Sequence, residues 1–154
     1  ETPCVRAVGC LPRQVQFSWS LSGAISLTEC VTDAMSALAR ARIQVSSIHA
    51  QPGNVQLLIS SRMAARARRI LSAQPSLPTP EIGDSVSILC FVGEGIGEDC
   101  DLWGTIAKHA DSSGIDFQFS EQEPRPHAIH AFVPANQTEW ALQTLCSALD
   151  LLSQ

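Results

Sequence analysis

The sequence predicts an α/β protein built as two tandem copies of one strand, helix, strand, strand, helix unit, and three observations carry that reading. Gly23 and Gly95 lie 72 residues apart, as do Ile43 and Ile115, so loop, helix and following strand keep one length in both copies. The hydrophobic pattern switches between strand-like alternation and helix-like spacing in the same order each time. Between the copies runs SAQPSLPTPEIGD, whose Pro75, Pro78 and Pro80 suit neither a helix interior nor a central strand and read as a semi-rigid linker. The boundary falls near residue 80, giving domains 1–80 and 81–154.

The elements follow in order. Val15 to Leu21 alternates, with Val15, Phe17, Trp19 and Leu21 on one face of a half-buried strand. Ser26 and Glu29 have the spacing of a capping box, and Val31, Ala34, Met35 and Leu38 form the apolar stripe of a helix ending near Arg42. Ile43 to His49 reads as a strand, AQPGN as a turn, Val55 to Ser60 as a strand and Arg62 to Leu71 as a helix. The second copy reads as a strand over Val86–Val92, the loop GEGIGEDCD, a helix from Leu102 to Ser113 closing on Gly114, strands over Ile115–Phe119 and Ala128–Val133, and a helix from about Asn136 to Leu152. One more strand completes the βαββαβ order of ferredoxin-like folds, antiparallel sheets with helices on one face. CVRAVGC, residues 4 to 10, supplies it by pairing with VQFSWSL across GCLPRQ. Exposed sheet edges then call for a homodimer.

Composition narrows the function classes. With 45% hydrophobic and 16% charged residues the chain is an ordinary globular one. It carries neither an apolar run long enough to span a membrane nor a signal-peptide pattern, and a start at Glu1 fits a piece of a longer chain. Six cysteines without a CxxC pair read as free thiols in a reducing cytoplasm, with no metal site and no cofactor. Charge is uneven: residues 1–80 hold eight arginines and three carboxylates, whereas residues 81–154 hold Lys108 and Arg125 and twelve carboxylates. Arg62, Arg66 and Arg69 share a helical face, but the chain as a whole is acidic and that face has no interleaved aromatics, so no nucleic-acid partner is expected.

The glycine loops hold the candidate chemistry. GEGIGEDCD has the glycines of a phosphate cradle but no lysine, and Glu94, Glu98, Asp99 and Asp101 would repel phosphate. Acids beside free helix N–H groups suit a molecule bearing both an ammonium and a carboxylate, an amino acid, with Gly95, Asp99 and Asp101 as candidates. In the first copy the equivalent loop offers Ser22, Gly23, Ser26 and Thr28; helix capping alone also accounts for Ser26 and Thr28. Ser46, Ser47, His49 and Gln51 lie on or just after the facing strand and supply further hydrogen-bonding groups. No catalytic residues are expected: a GxSxG elbow is missing, and His109, His127 and His130 lack partners at ligand spacing.

These residues resemble the paired ACT domains behind the kinase domain of aspartokinases. CVRAVGC before VQFSWSL, the run from Gly23 through SALARARIQVSSIH, and SILCFVGEGIGEDCDLWGTIAKHADSSGIDFQ carry the likeness, with Val92-Gly93-Glu94-Gly95 and Gly114-Ile115-Asp116-Phe117 at the family's Val-Gly-x-Gly and Gly-Ile-Asn-Ile positions. Ser26-Leu27-Thr28-Glu29 stands where family loops place Asp and Pro-Gly, which adds Leu27 to the candidates. Gln51 and Gln122 stand near a family glutamine. The resemblance implies an allosteric module that binds an amino-acid effector of the lysine or threonine class and controls an attached kinase domain. The rival expectation is a ligand-free dimerisation module of the same fold. On the sequence pattern, the second copy keeps the family signature better than the first.

Overall fold

The computed structural model describes residues 4–23, 25–119 and 126–149. The chain divides into two compact units, Arg13–Ser85 and Glu1–Pro12 with Val86–Gln154. The division departs from the linear one expected at residue 80, because the first twelve residues belong with the C-terminal half.

The central unit, Arg13–Ser85, contains most of β1 (Ala7–Ser20), then α1 (Leu27–Arg40), β2 (Val45–Gln51), β3 (Asn54–Ser60), α2 (Ser61–Ser72) and the first residues of β4 (Glu81–Val92). Its strands lie in the order β2-β3-β1-β4, the ferredoxin-like arrangement, with β1 antiparallel to β3 and β3 antiparallel to β2. Alternation puts Val15, Phe17 and Trp19 of β1 opposite Ile59, Leu57 and Val55 of β3, and all six are buried beneath the helices. Ser26 caps α1 as expected, its Oγ accepting from the Glu29 N–H at 3.1 Å. That helix buries Cys30, Ala34, Ala37 and Leu38, and the expected Val31 and Met35 lie at the margin of this face. Burial pushes the Cys30 thiol pKa up, and the nearby Asp33 charge adds to the shift.

The proline segment is more than a spacer. Leu77 is buried in the central core, and the Trp19 indole N–H donates to the Pro78 carbonyl at 2.8 Å. The last residues of the segment already run as strand β4, five residues before its expected start.

The split unit is formed by β1 residues 7–12, β4 residues 86–92, α3 (Cys100–Ser112), β5 (Gln118–Phe119), β6 (Ala128–Pro134) and α4 (Thr138–Ala148), with strand order β1-β4-β6-β5. Leu89 and Phe91 on β4 and Ile129, Ala131 and Val133 on β6 form its core with Ile106, Ala110, Ala141 and Leu145 of the helices. Buried Ser87 is satisfied by the Thr138 hydroxyl at 2.6 Å. Among the described residues the strand after α3 begins only at Gln118 and covers two residues; the Asp116 N–H just before it donates to Gln137 Oε1 at 2.9 Å. Trp140 is 53% exposed, and its indole N–H donates to the Ser113 carbonyl.

The N-terminal strand corrects the expected hairpin. CVRAVGC does not fold back on VQFSWSL; β1 runs unbroken through Gly9 and Pro12, with Arg13 in the left-handed region at φ 49°. Residues 4–10 lie along β4 instead. The Arg6 N–H donates to the Val92 carbonyl at 2.7 Å, and Val5 joins the split-unit core. Glycine and proline are turn signals in isolation, but here the split unit lacks a fourth strand until this segment fills the place.

Candidate loops at the helix N-termini

In the central unit the loop between β1 and α1 begins where the Leu21 N–H donates to the Gly53 carbonyl at 2.9 Å, so the turn between β2 and β3 holds its base. Sequence reasoning read that turn but missed its role as the loop's anchor; the Pro52-Gly53 pair was the available signal. Gly23 takes φ 86°, with open space where a side chain would stand. Ser22, Gly23, Ser26 and Thr28 are exposed, and Leu27 is half-buried. The loop is therefore small, hydroxyl-bearing and open, at the end of a 14-residue helix whose first N–H groups have no intrahelical acceptors.

Register decides which strand residues accompany it. Ser20 pairs with Asn54 and Asn54 with Gln51, which brings Gln51 to the loop's end of the sheet. Val45 pairs with Ile59 and Ile59 with Val15, at the far end. Ser46 and Ser47 therefore stand roughly 13–17 Å along β2 from Gln51 at strand rise. The expectation that they face the loop fails because β2 starts beside the C-terminus of α1, not its N-terminus. His49 pairs with Gln56 on the face turned away from the helices, and its Nε2 is buried with no hydrogen-bond partner among the described residues. Gln122 lies outside the described residues.

The second glycine loop is built differently. Gly93 passes so close to the Cys4 carbonyl that any side chain there would collide with backbone, and its N–H donates to the His127 carbonyl at 3.0 Å. Gly95, at φ 71°, enters a 3-10 turn over Ile96–Glu98 in which Ile96 is fully buried. The Trp103 indole donates to the Ile96 carbonyl at 3.1 Å. Asp99 is occupied as the cap of α3, accepting from the N–H groups of Asp101 and Leu102 at 3.0 and 3.1 Å. Only Asp101 of the three candidates here presents an exposed charged group. Beyond the loop Trp103, Phe119 and Phe117 form an aromatic cluster, Trp103 tilted against Phe119 at 4.8 Å between ring centroids and Phe117 edge-on to Phe119 at 4.9 Å. At a 72-residue offset the first copy has Val31, Ser47 and Val45 instead. The loop that keeps the sequence signature better is thus the more filled one, and the loop that departs from it is the more open.

No cluster of three or more potential metal ligands occurs among the described residues, and no described helix is long and apolar enough to cross a membrane. The six cysteines form no disulfides; Cys30 is buried, and Cys4 and Cys100 are exposed.

No family model and no curated protein matches the chain. Solved structures do. The regulatory subunit of aspartate kinase from Thermus thermophilus, in its ligand-free form, superposes with a TM-score of 0.69 over 94% of this chain and 97% of its own, at 18% identity. The fold is that of aspartokinase regulatory regions. Escherichia coli aspartokinase III matches over 97% of this chain at 18% identity in two states: an R-state complex with aspartate and ADP, TM-score 0.72, and a T-state complex with lysine and aspartate, TM-score 0.67. This chain spans 34% of that kinase's length.

Proposed function

We propose that the chain is an allosteric ACT-type regulatory module, without catalysis of its own, that binds a small amino acid at the β1–α1 loop of the central unit. The observation that carries this reading is the open, hydroxyl-bearing loop at the N-terminus of α1, in a fold shared with aspartokinase regulatory subunits. First-turn N–H groups and the hydroxyls of Ser26 and Thr28 receive the carboxylate of the amino acid. Its ammonium meets the Gln51 amide oxygen and loop carbonyls. The fold's occurrence in a kinase solved with lysine favours an effector of the lysine or threonine class, and an attached kinase domain as the controlled partner. Binding biases that partner only through unequal affinity for two conformational states. The module works in the cytoplasm as a homodimer.

The filled loop of the split unit favours a second reading in part: that unit serves assembly and binds no effector. Titration calorimetry with the twenty amino acids separates the two. The proposal expects one class of site per chain, with a melting temperature that climbs as the active amino acid is raised. Silence from all twenty, with the fold intact, would leave only the ligand-free module.

A further inference from the structure

The outer face of α2 carries charge of one sign. The helix buries Ala67 and Leu71 and rests Met63, Ala64 and Ile70 on the core, which turns Arg62, Arg66, Arg68 and Arg69 outward. Only Ser61, Ala65 and Ser72 share that exposure, so nothing on the helix rises as high as the guanidiniums, and none of its residues is acidic. Arg40, in the last turn of α1, and Arg42 just beyond it join the patch. β2 starts beside them, its Val45 pairs with Ile59 of β3, and α2 begins just past Ile59, so all these segments meet at one end of the unit. All six arginines are exposed, and none has a side-chain hydrogen bond or ion pair among the described residues. Local electrostatics oppose this arrangement. Arg62 stands in the first turn, at the positive end of the helix dipole, and Arg62 with Arg66 and Arg66 with Arg69 are like-charge neighbours one turn apart. A merely solvated helix face mixes both signs. The unit's carboxylates lie elsewhere: Glu29 in the first turn of α1, at the opposite end, Asp33 near Cys30, and Glu81 and Asp84 on β4.

We infer that this arginine face docks an acidic protein surface, carboxylates lined along one side of a helix, and that the module grips there the enzyme it controls. Like charges held together against their own repulsion mark a surface that meets the opposite sign. Arg62, Arg66 and Arg69 recur at helical spacing over roughly 10 Å, which matches carboxylates at i, i+4 and i+7 of a partner helix. The planar fork of arginine takes a carboxylate through two N–H groups, and the small residues between the arginines leave room for the approach. Nucleic acid is the poorer match: no aromatic side chain stands among the exposed residues of α2, and the chain's net charge of −5 repels a long polyanion. The face is also tied to the effector loop. α1 runs about 21 Å from its Ser26 cap in that loop to Arg40, and β3 runs from Asn54, beside the turn that anchors the loop, to Ser60, where α2 begins. The identity of the partner rests on the function proposed above; its acidic chemistry does not.

Fluorescence anisotropy with a labelled synthetic helical peptide, glutamates at i, i+4, i+7 and i+11, tests the surface. The samples are the unmodified chain, Arg62→Glu with Arg66→Glu, the gentler Arg62→Gln with Arg66→Gln and, as control, Arg6→Glu, exposed in the split unit. The unmodified chain and the control should bind the peptide equally, at least about tenfold more weakly when sodium chloride is raised from about 20 to about 150 mM. The glutamate pair should weaken binding at least about a hundredfold and the glutamine pair about tenfold, with far-UV circular dichroism unchanged; if the glutamate pair unfolds, the glutamine pair decides. The surface is overturned by an unmodified chain that ignores the peptide, by equal loss in the control, or by equal binding of a peptide with the same glutamates scattered around its helix. Duplex DNA bound more tightly than the peptide in low salt would overturn the acidic-protein partner. Calorimetry with the twenty amino acids on the same samples keeps the two readings apart. Peptide binding without amino-acid binding removes the effector and leaves the surface, and the reverse removes the surface and leaves the effector.

Discussion

Two glycines show how differently the same residue type is used. Gly93 lies against the Cys4 backbone carbonyl, whereas Gly23 faces open space and needs glycine only for its φ of 86°. Gly93→Ala must therefore displace main chain, and a loss of about 3 kcal/mol is expected from overpacking at a site with no flexible neighbour to yield. Gly23→Ala meets only the left-handed penalty of about 1 kcal/mol. Urea unfolding of the two variants measures the difference, and equal losses would contradict the close approach. The sequence places both glycines in loops at equal offset but does not tell them apart, because the neighbour that constrains Gly93 is almost ninety residues away. The same holds for His49: its position on a strand was legible, but the face it takes depends on β2–β3 register, which the bulge between Val45 and Ser47 resets.

At the scale of elements, the helices were the readable part. Each carries a local signal, and the caps Ser26 and Asp99 act through hydrogen bonds to residues two or three positions on. Ser26→Ala and Asp99→Ala are each expected to lower stability by about 1 kcal/mol, with Asp99 the more costly because it holds two N–H groups and places a charge at the positive end of α3. Thermal unfolding by circular dichroism checks the order. The strands were less legible. Pro80 and Gly83 concealed the true start of β4, and Gly9 with Pro12 read as a turn inside what is one 14-residue strand. Strand limits depend on partners distant in sequence, and local turn chemistry loses when a sheet has a vacant position to fill. For the candidate site, the loop between β1 and α1 was found correctly as a segment, but the strand residues meant to face it were divided by the antiparallel register.

For the whole molecule, the expected cut near residue 80 passes through neither unit cleanly. Each four-stranded unit borrows a strand segment from beyond that point: the central unit takes residues 81–85 and the split unit residues 7–12. Fragments 1–80 and 81–154 are therefore expected to fold poorly when produced alone, each lacking one strand, while a fragment covering residues 13–85 keeps a complete unit and should give a cooperative melt. Hydrogen exchange on the three fragments reads this directly, and two independently stable halves from the cut at 80 would contradict the interleaved arrangement. Charge follows the same division. The central unit has seven arginines against Glu29, Asp33, Glu81 and Asp84, and the split unit three basic residues against eleven carboxylates. The imbalance seen along the sequence is thus also one between folded units.

The unbroken β1 also sets an order of events on the ribosome. Residues 13–85 emerge as one contiguous stretch and complete their own sheet early, since every strand of that unit has been made once Ser85 has left the tunnel. The segment 7–12 leaves the ribosome before any of this, yet its partner strand, residues 86–92, is made only afterwards. Its closure spans some eighty residues, a long loop to close before any contact rewards it. The strand segment made ahead of the central unit is thus one that can pair only once that unit's chain is complete.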